Sequence, residues 1–117
     1  MTVKALVGYD VHAGLTREEY DRWLFGIHLP DLLANPHLDR VVLNTVVEPV
    51  PSTSGSDTTP TQAVALYRVA ELHFADMEQY RRYRRWFEDH PIPPERSPAG
   101  RSDFRFYVVC DSVTVTR

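Results

Sequence analysis

The chain has 117 residues, 43% of them hydrophobic and 25% charged, with a formal net charge of -3. That size and balance fit one globular domain, residues 1–117, and exclude a low-complexity or disordered chain. The negative charge argues against a nucleic-acid partner, whose binding rests on clustered cations, and no run of about 18 apolar residues is present to cross a membrane.

The first residues, MTVKALVGYDVHAG, lack the long apolar stretch and cleavage site of a signal peptide. Residues 3–11, rich in Val and Leu, read as a strand instead, and residues 12–14 as a turn. Thr16-Arg-Glu-Glu19 is a capping box, opening a helix with Tyr20, Trp23, Leu24 and Ile27 on one apolar stripe. Pro30 is expected to end or kink that helix, because it lacks an N–H and crowds the preceding turn. Leu32 and Leu33 suggest one further turn, stopped by Asn35-Pro36. Residues 40–48 read as a second strand. Residues 49–62, with Pro, Ser, Thr and Gly but no apolar run, read as a mobile loop.

Residues 63–74 form the third expected strand, with Tyr67, Val69, Glu71 and His73 on one face. A second capped helix starts at Asp76, carries Met77, Tyr80, Tyr83, Arg84 and Phe87 as its stripe, and ends at His90-Pro91. Residues 91–103 hold four prolines and read as a loop. Residues 104–116 supply a last strand or two. Cys110, the single cysteine, lies in the apolar run FRFYVVC, so a buried, inert thiol in a reducing cytoplasm is expected.

The order β-α-β, β-α-β defines an α+β fold, a four-stranded antiparallel sheet with both helices on one face. The other face, expected to be rich in Val and Tyr, would lie in water unless a second copy covered it, so a homodimer packed sheet against sheet is expected.

On these residues the chain resembles the dimeric α/β-barrel, ferredoxin-like superfamily, and within it the EthD-like group. The resemblance runs over nearly the whole chain. It rests on Leu15-Thr-Arg-Glu-Glu-Tyr20, Trp23, His28, Pro30 and Leu38-Asp-Arg40, and on Glu71 and Phe74 ahead of the second capped helix. It implies a ligand cavity between helices and sheet, with the residue equivalent to His28 facing that cavity. Relatives include cofactor-free cyclases, isomerases and decarboxylases, cofactor-free monooxygenases and haem-binding proteins.

Several residues are candidates for chemistry. His28, just before the Pro30 kink, is either an acid–base group at a pocket edge or a cap on a carbonyl freed by the proline. His73, Glu71 and Tyr67, sharing one strand face, would put an imidazole, a carboxylate and a phenol together; the alternative is a polar strand end in solvent. Tyr9, Asn44 and Tyr107, from the other strands, suit an aromatic ligand or serve as core and interface residues. Trp23 reads as core and Trp86 as the cavity mouth. The resemblance to barrel cyclases suggests His90 with Tyr83 as a further site, although a histidine in a last helical turn also complements the helix dipole. No metal-ligand spacing and no haem motif is present, so no metal and no cofactor are expected. Arg81, Arg82, Arg84 and Arg85 are balanced by Glu78, Glu88 and Asp89 and read as a solvated face. Together with these residues, the resemblance implies a cofactor-independent cyclase or isomerase, a lyase-type enzyme acting on a small aromatic or polyketide-derived substrate. A cofactor-free monooxygenase on a phenol or anthrone, and a non-catalytic small-molecule-binding or interaction module, are the alternatives.

Overall fold

The computed structural model describes residues 2–50 and 66–117. From residue 51 on, the loop expected over 49–62 lies outside the described residues, as do residues 63–65 of the expected third strand. Four strands, β1 (Thr2–Val11), β2 (Arg40–Thr45), β3 (Arg68–Phe74) and β4 (Ser102–Ser112), form one antiparallel sheet in the order β2-β3-β1-β4. Helices α1 (Arg17–Trp23), α2 (Leu29–Leu33) and α3 (Met77–Asp89) follow β1 and β3. The α+β arrangement is the one that the sequence pattern requires.

Alternation sets the two faces of the sheet. Val3, Ala5, Val7 and Tyr9 of the central strand turn towards the helices and are between 0 and 5% exposed. β3 alternates in the same way, with Ala70, Leu72 and Phe74 buried and Val69, Glu71 and His73 half-buried on the far face. Tyr20, Trp23 and Leu24 of the first helical segment and Tyr83 of α3 complete the core. Burying one large side chain of this kind contributes roughly 1.5–3 kcal/mol.

The helix starts are built as their sequences require. The Thr16 hydroxyl accepts from the Glu19 N–H, and the Glu19 carboxylate accepts from the Thr16 N–H. At α3 the Asp76 carboxylate accepts from the Gln79 N–H.

Three places depart from ideal periodicity. Pro30 does not end the helix. The turn before it, Leu24–His28, widens into a π-helical turn, closed by a bond from the Leu29 N–H to the Leu24 carbonyl. The extra residue relieves the crowding by the proline ring and lets the chain run on into α2. In the β1–β4 pair the register shifts between Gly8, opposite Phe106, and Tyr9, opposite Phe104. The bulge at Arg105 turns Phe104 to the helix side, although it is two residues from the outward-facing Phe106. The Phe106 ring lies across Gly8, in space that a Cβ there would occupy. Finally, the chain bends at Tyr67, just before β3.

That bend corrects an expectation about the outer sheet face. Tyr67 does not share it with Glu71 and His73. Its hydroxyl donates to Asp21 of α1 at 2.7 Å, and its ring packs edge-on to Tyr9 and Tyr20. Tyr9 also faces the helices, so the far face is not rich in tyrosine. It carries Leu6, Val42, Val69, Phe106 and Val108 around a polar group formed by Lys4, Asn44, Glu71 and His73. Cys110 lies opposite Lys4 on β4 and is half-exposed, not buried, because nothing among the described residues covers this face. No helix among the described residues is long and apolar enough to cross a membrane.

Candidate functional site

Between the sheet and the helices lies a cavity of about 550 Å³. Its floor is made of short side chains, Val7, Val41, Ala70 and Val109, one from each strand. Its roof comes from Leu24, His28, Leu29 and Leu32 on one side and Tyr80, Tyr83 and Phe87 on the other. Short residues below and large rings above hold the layers apart, so the space is not filled. Towards β4 the cavity opens to solvent beside Phe104 and Tyr107, which are about half exposed.

His28 stands on this wall. The π-helical turn carries it there, and its ring stacks on Trp23 at 4.7 Å between centroids and 15° between planes. Its Nδ1 is buried and has no hydrogen-bond partner among the described residues. It does not cap a freed carbonyl. Burial pulls its pKa down to about 4; Asp31 opposes that shift and Arg101 adds to it. The imidazole is therefore neutral near pH 7. A buried nitrogen without a partner calls for an explanation.

Trp23 is the backing plate of this histidine and not a wall of the cavity. Its Nε1 donates to the Arg96 carbonyl at 3.1 Å, and the Arg101 guanidinium lies 5.1 Å from its ring centre. Arg96 in turn pairs with both carboxylate oxygens of Asp31, at 2.8 and 2.9 Å. These contacts fasten the proline-rich loop to α2 and fix the plane of His28.

Besides Ser102 and Arg84, the remaining polar groups on the wall are phenols. Tyr20 shares a 2.7 Å hydrogen bond with Ser102, and burial raises its pKa, so it remains a neutral hydroxyl. Burial raises that of Tyr83 too. The Tyr9 hydroxyl accepts from Arg68 at 3.4 Å. Arg68 is itself buried and grips Asp21 with two nitrogens, the Nη2–Oδ2 contact being 3.0 Å. Asp21 is held below the usual carboxylate range, mainly by this guanidinium.

The structure thus brings His28, Tyr9, Tyr83 and Tyr107 of the candidate residues to one cavity. Others lie elsewhere. Glu71, His73 and Asn44 do meet: Glu71 bonds His73 at 3.1 Å, Lys4 at 3.1 Å and Asn44 at 2.8 Å. They meet on the opposite face of the sheet, because odd positions of β3 point away from the helices. Tyr67 belongs to neither group, since it is tied to Asp21. Trp86 is not at the cavity mouth; it stacks on His90 at 4.1 Å. His90 is exposed at the end of α3, with Nδ1 on the Trp86 carbonyl at 3.0 Å, which is a helix-terminal role. Sequence reasoning missed Tyr20, Ser102, Tyr80, Arg84 and Phe104. The first was taken as plain core, and Phe104 reaches the cavity only through the bulge. Among the described residues no three His, Cys, Asp or Glu side chains gather where one metal ion could be held.

In sequence the chain matches no protein-family model and no curated protein. In structure it is similar to an ethyl tert-butyl ether D (EthD) family protein from Bacillus halodurans, with a TM-score of 0.64 and 16% identity over 97% of this chain and 100% of that one. It is also similar to a DABB family protein with a ferredoxin-like fold from Mesorhizobium loti, with a TM-score of 0.55 and 17% identity over 98% of each chain. At such identities the likeness establishes the fold. The chain has the ferredoxin-like fold that the EthD-like resemblance implied.

Proposed function

We propose that the chain is a cofactor-independent enzyme that binds a small, largely apolar or aromatic oxygenated molecule in this cavity and moves a proton on it. The observation that carries this reading is the neutral, half-buried imidazole of His28 on the cavity wall, with a buried Nδ1 that has no partner among the described residues. A neutral imidazole accepts a proton from an acidic carbon beside a carbonyl. The enolate that forms is an anion next to the new imidazolium, and that pairing raises the affinity of His28 for the proton in the complex. Neutral phenols such as Tyr20 can donate to the developing enolate oxygen. Cyclisation, isomerisation and related lyase-type steps on polyketide-like substrates all pass through such a proton transfer.

The test is deuterium exchange from D2O into the acidic carbon of an aryl 1,3-diketone, read by NMR. His28→Ala is expected to slow exchange by roughly 100-fold. A loss below tenfold removes His28 as the base. Oxygen consumption with an anthrone or phenol would move the reading to cofactor-free oxygenation, and tight binding without either reaction would make the chain a binding module.

We also infer that two copies pack through the outer sheet faces, because Leu6, Val42, Val69, Phe106 and Val108 form an apolar surface with nothing over it among the described residues. Light scattering at the mass of two chains supports this, and a monomer at high micromolar concentration refutes it.

A further inference from the structure

The cavity wall carries one formally charged side chain among the described residues, Arg84, and no Asp, Glu or Lys. Its partner differs from that of Arg82 on α3. Arg82, on the solvent side, pairs four residues back with the Glu78 carboxylate at 2.8 Å. Arg84 makes the same four-residue step back to Tyr80, whose hydroxyl accepts from Nη1 at 3.1 Å. A phenol orients the guanidinium but does not neutralise it. No carboxylate lies within ion-pair distance of Arg84 among the described residues, and its Nε and Nη2 edge has no acceptor there. Because Tyr80 accepts from Arg84, its own hydrogen is free to point elsewhere. The hydroxyls of Tyr83 and Tyr107, both on the wall, likewise have no partner among the described residues. Arg84 is exposed, yet it lines the cavity together with these phenols, and a guanidinium with two nitrogens unpaired beside free phenols suits an anionic, planar oxygen group.

Resting on the cavity reading above, we propose that the ligand is an aromatic or apolar molecule bearing a carboxylate, and that Arg84 binds this group through its Nε and Nη2 edge. The apolar body then lies over Ala70 and Val41, and the acid group sits on the α3 side of the cavity.

A matched pair of probes tests this: 2-naphthoate, and 2-naphthamide, which keeps the ring and shape but loses the charge. Affinities are measured by calorimetry on wild type and Arg84→Gln at low and moderate salt. The wild type is expected to prefer the acid by roughly tenfold or more, as a charge-assisted bidentate contact does. Arg84→Gln is expected to lose that preference while binding the amide as before, which also shows that the variant is folded. The preference should shrink as salt rises, because Arg84 is an exposed residue. Equal affinity of the wild type for acid and amide overturns the proposal and leaves the cavity reading standing. A preference that survives in Arg84→Gln overturns the role of Arg84. If neither probe binds, both readings fall.

Discussion

The burial of His28 makes a quantitative prediction about stability and pH. The unfolded chain takes up this proton below about pH 6.5, whereas the folded chain does so only near pH 4. Between those values the unfolded state holds more protons, so stability falls as the pH falls through this window. A shift of this size is worth about 3 kcal/mol once both states are titrated, of which about 2 kcal/mol is already lost at pH 5. Above about pH 7.5 the contribution vanishes. Urea unfolding of wild type and His28→Gln, at one fixed protein concentration, isolates the effect, because all other titrating groups are shared. The two proteins should differ little in pH response above neutrality and diverge as the pH falls to 5, the wild type losing more. An NMR titration of the His28 ring in the folded protein should show no midpoint above about pH 5. Parallel curves, or a His28 midpoint near 6.5, would refute the desolvation argument and remove the main support for a base at this position.

Other consequences are open to direct measurement. Asp21→Asn leaves the buried Arg68 charge without its partner and should cost about 3 kcal/mol in denaturant unfolding, with most of the loss recovered when Arg68→Met is added. Thr16→Ala removes one half of the capping box and should cost about 1 kcal/mol by the same assay. Val41→Trp, on the cavity floor at the edge strand, should reduce naphthamide binding at least roughly tenfold while circular dichroism stays unchanged, as filling a pocket requires. Phe106→Glu should shift the scattering mass towards a single chain, since it puts a charge in the outer apolar surface.

Much of the fold was legible because its signals are local. The Thr16 to Glu19 box, the stripe of Tyr20, Trp23 and Leu24, and the alternation along β1 each name one element and one buried face. The site was harder to read, since it depends on places where the period slips by one residue. The bend at Tyr67 turns a side chain expected beside Glu71 towards Asp21 instead. The bulge at Arg105 sends Phe104 and Phe106 to opposite faces, against the rule that residues two apart share one. The π-helical turn sets the orientation of His28, and only the histidine-x-proline spacing hinted at it. Arg84 is exposed, as the solvated face of its helix required, but a count of charges along a helix does not show that it also lines the cavity or that its partner is Tyr80 and not a carboxylate.

The sheet order has a consequence for how this chain is made. β1 is translated first, yet it occupies the middle of the sheet, with Leu6 facing Glu71 on one side and Val108 on the other. Neither edge of β1 can be satisfied until β3 and then β4 have left the ribosome. Until β3 emerges the nascent chain therefore carries an apolar segment, VKALVGY, with both hydrogen-bonding edges open, and one edge stays open until β4 follows. Pairings this distant in sequence form slowly, and an open apolar strand invites pairing with other chains. Expression yield and the demand for chaperones should follow the exposure time of β1 more closely than the equilibrium stability of the finished domain.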